Sequence, residues 1–204
     1  MSTLQRMDTT SPPPDQGVRF GRTFIRVGYR SWPQNSVDVM VLPNNRRGLL
    51  GVNYSGGRRI DGGLDVEREA MAQAPLTPGT AIVTGPGTLN QYGIRNVVHA
   101  VVGDHLGDGP RELPLRQAVV AAMKQIDAIK GRNAAIVPLG SGSMRERVDR
   151  GRSVPIMIEE MVGHLRRSSS RIETITILCN SESEMADVSG LLERMRRDWW
   201  GLRA

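Results

Sequence analysis

From Phe20 onward the chain alternates short apolar runs with longer stretches in which apolar residues return every three or four positions. The short runs are Phe20 to Val27, Val37 to Leu42, Thr80 to Thr84, Asn96 to Val102, Asn133 to Leu139 and Thr174 to Cys179. They predict six strands, several of them the unbroken Val/Ile kind that is buried on both faces. The longer stretches predict helices. Leu64 to Gln73 is rich in Glu, Ala and Met; Leu113 to Ile129 spaces Leu115, Val119, Ala122, Met123 and Ile126 along one side; Val154 to Arg167 does the same with Ile158, Met161, Val162 and Leu165. The last, Ser183 to Trp200, follows Ser181 with Glu184 three residues on, the arrangement of a capping box. Strands alternating with helices in this order predict an α/β fold with a sheet covered on both faces.

Residues 1–18 break the pattern. They carry Ser-Pro-Pro-Pro-Asp at Ser11 to Asp15 and no apolar period, so they bury too little to offset their ordering entropy. The expectation is a disordered N-terminal tail, then one domain over residues 19–204 that ends in a helix. Hydrophobic residues at 39% and charged ones at 24% of 204 exclude a collagen, a wholly disordered chain or a disulfide scaffold. The only cysteine is Cys179, and no secretory leader opens the sequence, which together lead us to expect a cytoplasmic protein. No apolar run reaches the ~20 residues that a membrane span needs.

A net charge of +6 invites a nucleic-acid partner, because a basic surface attracts phosphate whatever the sequence. Of the 27 basic residues only Lys124 and Lys130 are lysines, and an Arg-, Gly-, Ala- and Val-rich composition is also what a GC-rich genome produces. Three Trp, three Tyr and two Phe are few for a surface that stacks bases.

In open α/β sheets ligands sit beyond the carboxyl ends of the strands, which directs the reading to two loops. One follows Val37 to Leu42 and runs Pro43-Asn-Asn-Arg-Arg-Gly48, then Gly51-Val-Asn-Tyr-Ser-Gly-Gly57. The other follows Ala134 to Pro138 and runs Leu139-Gly-Ser-Gly-Ser-Met144. Gly140, Ser141, Gly142 and Ser143 have side chains small enough for successive backbone N–H groups to approach one anion, a phosphate cradle. No Gly-Lys-Ser/Thr follows, so it is not a P-loop, and the spacing is not that of a dinucleotide fingerprint. An ordinary Gly/Ser connection has the same composition. Asn44 and Asn45 offer amides to a sugar hydroxyl, or shape a turn.

Taken together and in order, Val37-Asp-Val-Met-Val-Leu-Pro-Asn-Asn45, Gly79-Thr-Ala-Ile-Val-Thr-Gly85, Asn96-Val-Val-His-Ala100 and Pro138-Leu-Gly-Ser-Gly142 resemble the macro domain, an ADP-ribose-binding family. The chain is similar to a divergent bacterial-type member over roughly Phe20 to Met195. The resemblance implies a three-layer α/β/α architecture, a mixed six-stranded sheet between helices, with ADP-ribose or a related nucleotide in a cleft along the strand ends. By it, Asn45 would lie near the distal ribose, with Asn44 also counted among the ligand-binding residues, Gly51 and Val52 would form the facing loop, and Gly140, Ser141, Gly142, Ser143 and Met144 would wrap the diphosphate and its adjoining sugar. It also implies an ADP-ribosylated protein as a partner and hydrolysis of ADP-ribosyl linkages as the reaction class of the family's enzymes.

The departures shift that picture. Tyr29 stands where the family often has an Asp for the adenine amino group; a phenol can stack on a base but cannot make the charged contact. Leu42 replaces the first Asn of the strand-end motif, and the tight glycine run that confines the distal ribose is loosened to Gly51 through Gly57. These changes favour binding over catalysis, and no side chain is assigned a catalytic role. An Arg-rich nucleic-acid binder and a ligand-free interaction subunit are the alternatives.

Elsewhere, His99 within Val-Val-His-Ala reads as a hydrogen-bonded core histidine, and His164, beside Arg166 and Arg167, as part of a solvated face. Cys179 reads as a small buried hydrophobe, and Glu67, Glu69, Glu159 and Glu160 as exposed salt-bridging acids. His105 and Asp104 lack metal-ligand spacing, so no metal or cofactor is expected. Of the Trp199-Trp200 pair, one ring packing the last helix to the sheet is set against a partner contact.

Overall fold

The computed structural model describes residues 17–29, 37–50, 63–104, 111–140 and 150–201. The strands are β1 (Gly17–Phe20), β2 (Thr23–Tyr29), β3 (Val39–Asn45), β4 (Ala81–Thr84), β5 (Asn96–Gly103), β6 (Asn133–Ile136) and β7 (Thr174–Cys179). They form one sheet in the order β1-β2-β7-β6-β3-β5-β4. From β2 through β5 neighbours are parallel, and the two edge strands, β1 and β4, are antiparallel to theirs.

Seven strands form where six were expected, because the apolar run from Phe20 is a hairpin. Phe20 pairs with Thr23 across the two-residue turn Gly21-Arg22, and Gly21 takes φ +62°, a left-handed conformation that glycine reaches without a Cβ penalty. β1 begins at Gly17, so Gly17 and Val18 belong to the sheet rather than to the expected tail, whose residues 1–16 lie outside the described ones. β6 is shorter than its apolar run. Val137 still donates to the Val41 carbonyl, but Pro138 has no N–H to continue the ladder.

The helices α1 (Gly63–Ala72), α2 (Glu112–Ala128), α3 (Arg150–Arg167) and α4 (Glu182–Gly201) lie within a few residues of the expected spans, and a 3-10 helix covers Gly87–Tyr92. Alternating residues of the central strands face two separate cores. Val39 and Val41 of β3, Ala134 and Ile136 of β6 and Ile175 and Ile177 of β7 pack under α2, α3 and α4. Met40, Leu42, Ala135 and Leu178 pack on the other side with Val66 of α1 and Leu89 of the 3-10 helix. All of β3 is buried, the burial that its unbroken Val/Met/Leu run requires. Leu115, Val119, Ala122, Met123 and Ile126 are the buried stripe of α2 that the spacing gave, with Ala118 added.

At the amino-terminal edge the strands are clamped by Asp38. Its carboxylate accepts from the backbone N–H of Arg132 at 3.2 Å and of Asn133 at 2.9 Å and from the Arg95 guanidinium, tying the entries of β3, β5 and β6 together.

Candidate functional site

All five parallel strands end on one edge. β3 and β6 are neighbours there, and the helices that follow them lie on opposite faces of the sheet, α1 after β3 on one and α3 after β6 on the other. Adjacent strands followed by helices on opposite faces leave a crevice between them, the usual ligand position in such sheets.

The β3 side of this crevice is built by Asn44 and Asn45, both buried. The ladder to β5 shifts register between them, Asn44 lying opposite Val101 and Asn45 opposite Gly103. Asn45 folds the next residues around its own amide: Oδ1 accepts from Arg47 N–H at 2.8 Å and Nδ2 donates to the Leu49 carbonyl at 3.0 Å. The turn reading therefore describes the Asn45 side chain as it stands. Gly48 N–H donates to the Asn45 carbonyl at 3.0 Å, with φ +76° at Gly48. Arg46 and Arg47 remain exposed, two cations at the rim.

Asn44 turns inward. Its Oδ1 accepts the Asn45 N–H at 2.7 Å, and its Nδ2 meets His99 Nδ1 at 3.0 Å. The opposite ring nitrogen of His99 lies 2.9 Å from Thr84 Oγ1. Burial lowers the His99 pKa to about 4, so the ring is neutral at pH 7 and is a core histidine, as its strand context indicated. Thr84 was not singled out from the sequence. The alternation within each strand is legible, but only the pairing of β4 and β3 with β5 puts Thr84, Asn44 and His99 on one sheet face.

On the β6 side, Pro138, Leu139 and Gly140 are buried, and Gly140 takes φ +80°. Ser141, Gly142, Ser143 and Met144, with Gly51 and Val52, lie outside the described residues. The backbone of Tyr29 ends β2, paired with Cys179 of β7 on the same edge.

No family model matches this sequence. It is 28% identical over 163 residues to an uncharacterized protein of Aquifex aeolicus, covering 80% of this chain and 93% of that one. Among solved structures, the Trypanosoma brucei macrodomain in complex with ADP superposes with a TM-score of 0.66 at 18% identity, over 84% of this chain and 69% of that one. A mutant Oceanobacillus iheyensis macrodomain with ADPR gives 0.67 at 16% identity, over 88% and 97%. This chain has the macrodomain fold. The expected α/β architecture stands, with the β1–β2 hairpin in place of one long strand. The described Asn44, Asn45 and Gly140 lie at the carboxyl ends of β3 and β6, on the same edge of the sheet.

The remaining candidates fall elsewhere. His164 is a correction: it is buried, and its Nε2 lies 2.8 Å from Asp127 Oδ2, because α3 turns this residue toward α2 while Arg166 and Arg167 face water. Glu159 and Glu160 converge on Arg116 of α2, at 3.0 and 2.8 Å, with Glu112 on the same guanidinium. Glu69 accepts the Gly85 N–H at 2.7 Å. Cys179 is fully buried. The Ser181 hydroxyl accepts the Glu184 N–H at 3.2 Å, while the Glu184 carboxylate reaches back to Asn180 N–H at 2.8 Å, so the cap forms one residue wider than the usual box. Trp199 packs α4 onto β1. Among the described residues no group of three His, Cys, Asp or Glu gathers to hold a metal, and no helix is long and apolar enough to cross a membrane.

Proposed function

We propose that the chain binds ADP-ribose, or another nucleotide diphosphate-sugar of the same build, in the crevice between the ends of β3 and β6. The observation that carries this reading is the placement of the two following helices, α1 and α3, on opposite faces of the sheet, in a fold that holds ADP in the Trypanosoma relative and ADPR in the Oceanobacillus one. The chemistry of the two exits supports it. Gly140 opens a Gly-Ser-Gly-Ser run whose small side chains leave backbone N–H groups accessible to a diphosphate, and Arg46 and Arg47 add positive charge at the opposite rim.

In this reading Gly140, Ser141, Gly142, Ser143 and Met144 hold the diphosphate, Asn44, Asn45, Gly51 and Val52 border the distal ribose, and Tyr29 stacks on the base. The loosened Gly51 to Gly57 sequence, and a His99 that is buried and neutral, favour a reader of ADP-ribosylated protein over an enzyme. Hydrolysis of the ADP-ribosyl linkage, with a held water as nucleophile, is the reaction to look for.

Calorimetric titration with ADP-ribose, ADP, AMP and a short RNA tests it. Micromolar ADP-ribose binding, tighter than ADP, is expected, and Ser141→Asp abolishes it by setting a carboxylate against the phosphates. Silence toward every nucleotide overturns the reading. Release of ADP-ribose from a modified protein separates an eraser from a reader.

A further inference from the structure

The opposite edge of the sheet, where the parallel strands begin, carries cations that the fold leaves unpaired. The β1–β2 turn is held against the segment entering β7: Thr23 Oγ1 donates to the Ile172 carbonyl at 2.7 Å, and Phe24 N–H to the Glu173 carbonyl at 2.8 Å. Arg22 and Arg171 each immediately precede a residue of this contact. α3 ends here at Arg167, and α4 arrives with Trp199 seated edge-on against Phe20, ring centroids 5.6 Å apart. The Arg166 guanidinium lies 5.5 Å from the Trp199 ring centre, and Arg19, 5.8 Å from that of Phe24, donates to the Arg22 carbonyl at 3.1 Å.

Arg19, Arg22, Arg166, Arg167 and Arg171 are all exposed, and none forms an ion pair among the described residues. The carboxylates nearby are engaged: Glu173 with Arg132 at 2.7 Å, Asp127 with His164 and with the Ser170 hydroxyl, Glu193 with Arg196. Among the described residues only Asp198 of α4 stands exposed without a partner there. Complementing the carboxyl end of α3 accounts for Arg166 and Arg167 but not for Arg19, Arg22 or Arg171.

We propose that this corner docks the sugar-phosphate backbone of a nucleic-acid duplex. A planar guanidinium meets a phosphate with two parallel N–H bonds, and two of the five are already oriented by aromatic rings, which lowers the rotamer entropy lost on docking. Trp199 is buried and offers no stacking face to an unpaired base, and the exposed large apolar residues Leu64, Met71 and Leu113 lie on α1 and α2, away from this corner. Backbone contact without base readout is what remains. The crevice is at the other end of the strands, so the two sites fill independently, and this proposal stands whether or not ADP-ribose binds.

The test is fluorescence anisotropy with a DNA duplex and an RNA duplex of one sequence. The expected result is binding at about 150 mM salt, with log K falling against log salt at a slope of about −4 to −5, roughly −0.9 for each of five phosphates. The Arg22→Gln/Arg171→Gln variant weakens binding at least ~tenfold and flattens the slope by about two. Arg68→Gln/Lys124→Gln, which removes the same charge from α1 and α2, changes affinity less than ~threefold. Thermal unfolding of both double variants matches the unmodified chain. Equal losses in the two variants reduce the attraction to net charge and overturn the proposal. So does absence of duplex binding, including the case in which anionic vesicles or polyglutamate bind instead.

Discussion

Asn44 on β3 donates its amide N–H to His99 Nδ1 on β5 at 3.0 Å, and that one bond fixes the state of the imidazole. The Asn44 oxygen is already occupied by the Asn45 N–H at 2.7 Å, so the amide nitrogen must face the ring. His99 accepts at Nδ1, carries its proton on Nε2 and donates to Thr84 Oγ1 at 2.9 Å; the Thr84 hydroxyl passes its own proton to the Gly85 carbonyl at 3.1 Å. A second proton on the ring would set two donors face to face with no acceptor to move to. Desolvation and this arrangement act in the same direction, and the strand end that carries the candidate crevice is braced by a neutral ring.

The consequence is an acid-sensitive fold. Burial lowers the His99 pKa from 6.5 to about 4, so between those values the unfolded chain takes up a proton that the folded chain refuses. His99 leaves stability unchanged above about pH 6.5, removes it progressively as acid is added, and levels off below about pH 4, a total on the order of 3 kcal/mol. Urea unfolding at intervals across this range measures it. The His99→Gln variant, less stable at pH 7, loses less on acidification than the unmodified chain; parallel pH curves for the two would sink the assignment.

At the other end of β3, Asp38 serves two backbone N–H groups and Arg95 with a carboxylate only 15% exposed, while the Arg95 side chain is 64% exposed. Asp38→Ala strands two strand-entry donors and costs about 2–3 kcal/mol, whereas Arg95→Ala removes a solvated ion pair and costs under ~1 kcal/mol. Denaturant midpoints of the two single variants decide it. Equal effects would place the stabilisation in the ion pair instead of in the backbone clamp.

The sequence was legible to different depths along the chain. β7 was legible to the residue, Thr174 to Cys179, because a strand buried on both faces is a bare apolar run with polar ends. The β1–β2 hairpin was not, since Phe20-Gly-Arg-Thr23 interrupts an apolar stretch by only two residues and no Asn-Gly or Asp-Gly marks the turn. His164 was misplaced because the arginines that follow it set its apparent polarity, while its partner Asp127 comes from α2, 37 residues earlier. Of the residues proposed at the crevice, composition singled out Gly140 and the Asn pair. The His99–Thr84 brace depends on strand order, which no local pattern states.

Trp199 gives a packing test. The ring is buried and meets Phe20 edge-on, interplanar angle 80°, and its Nε1 has no hydrogen-bond partner among the described residues. The indole is therefore valued for its volume rather than for its N–H. Trp199→Ala lowers stability by about 3 kcal/mol or more by opening a cavity between α4 and β1, while Trp199→Phe costs about 1 kcal/mol. Thermal unfolding of the pair checks this, and a Phe variant as damaged as the Ala one would mean that the N–H is in use.

Gly48 and Gly93 separate a steric demand from a conformational one. Both hold left-handed backbone, φ +76° and +85°, where a Cβ costs about 1–2 kcal/mol. A Cβ on Gly93 meets nothing within 4 Å, but one on Gly48 would lie 2.7 Å from the backbone carbon and oxygen of Ala70 in α1. Gly93→Ala is expected to lose only the conformational amount. Gly48→Ala must also push the turn after Asn45 away from α1, so its loss exceeds that of Gly93→Ala by about 1 kcal/mol or more. Because Gly48 N–H closes that turn on the Asn45 carbonyl, the displacement reaches the crevice, and ADP-ribose affinity falls with it, whereas Gly93→Ala binds as the unmodified chain does. Denaturant midpoints and calorimetric titrations of the two variants read both quantities; a Gly48→Ala protein that is destabilised but binds with unchanged affinity would detach the Asn45 turn from the ligand site.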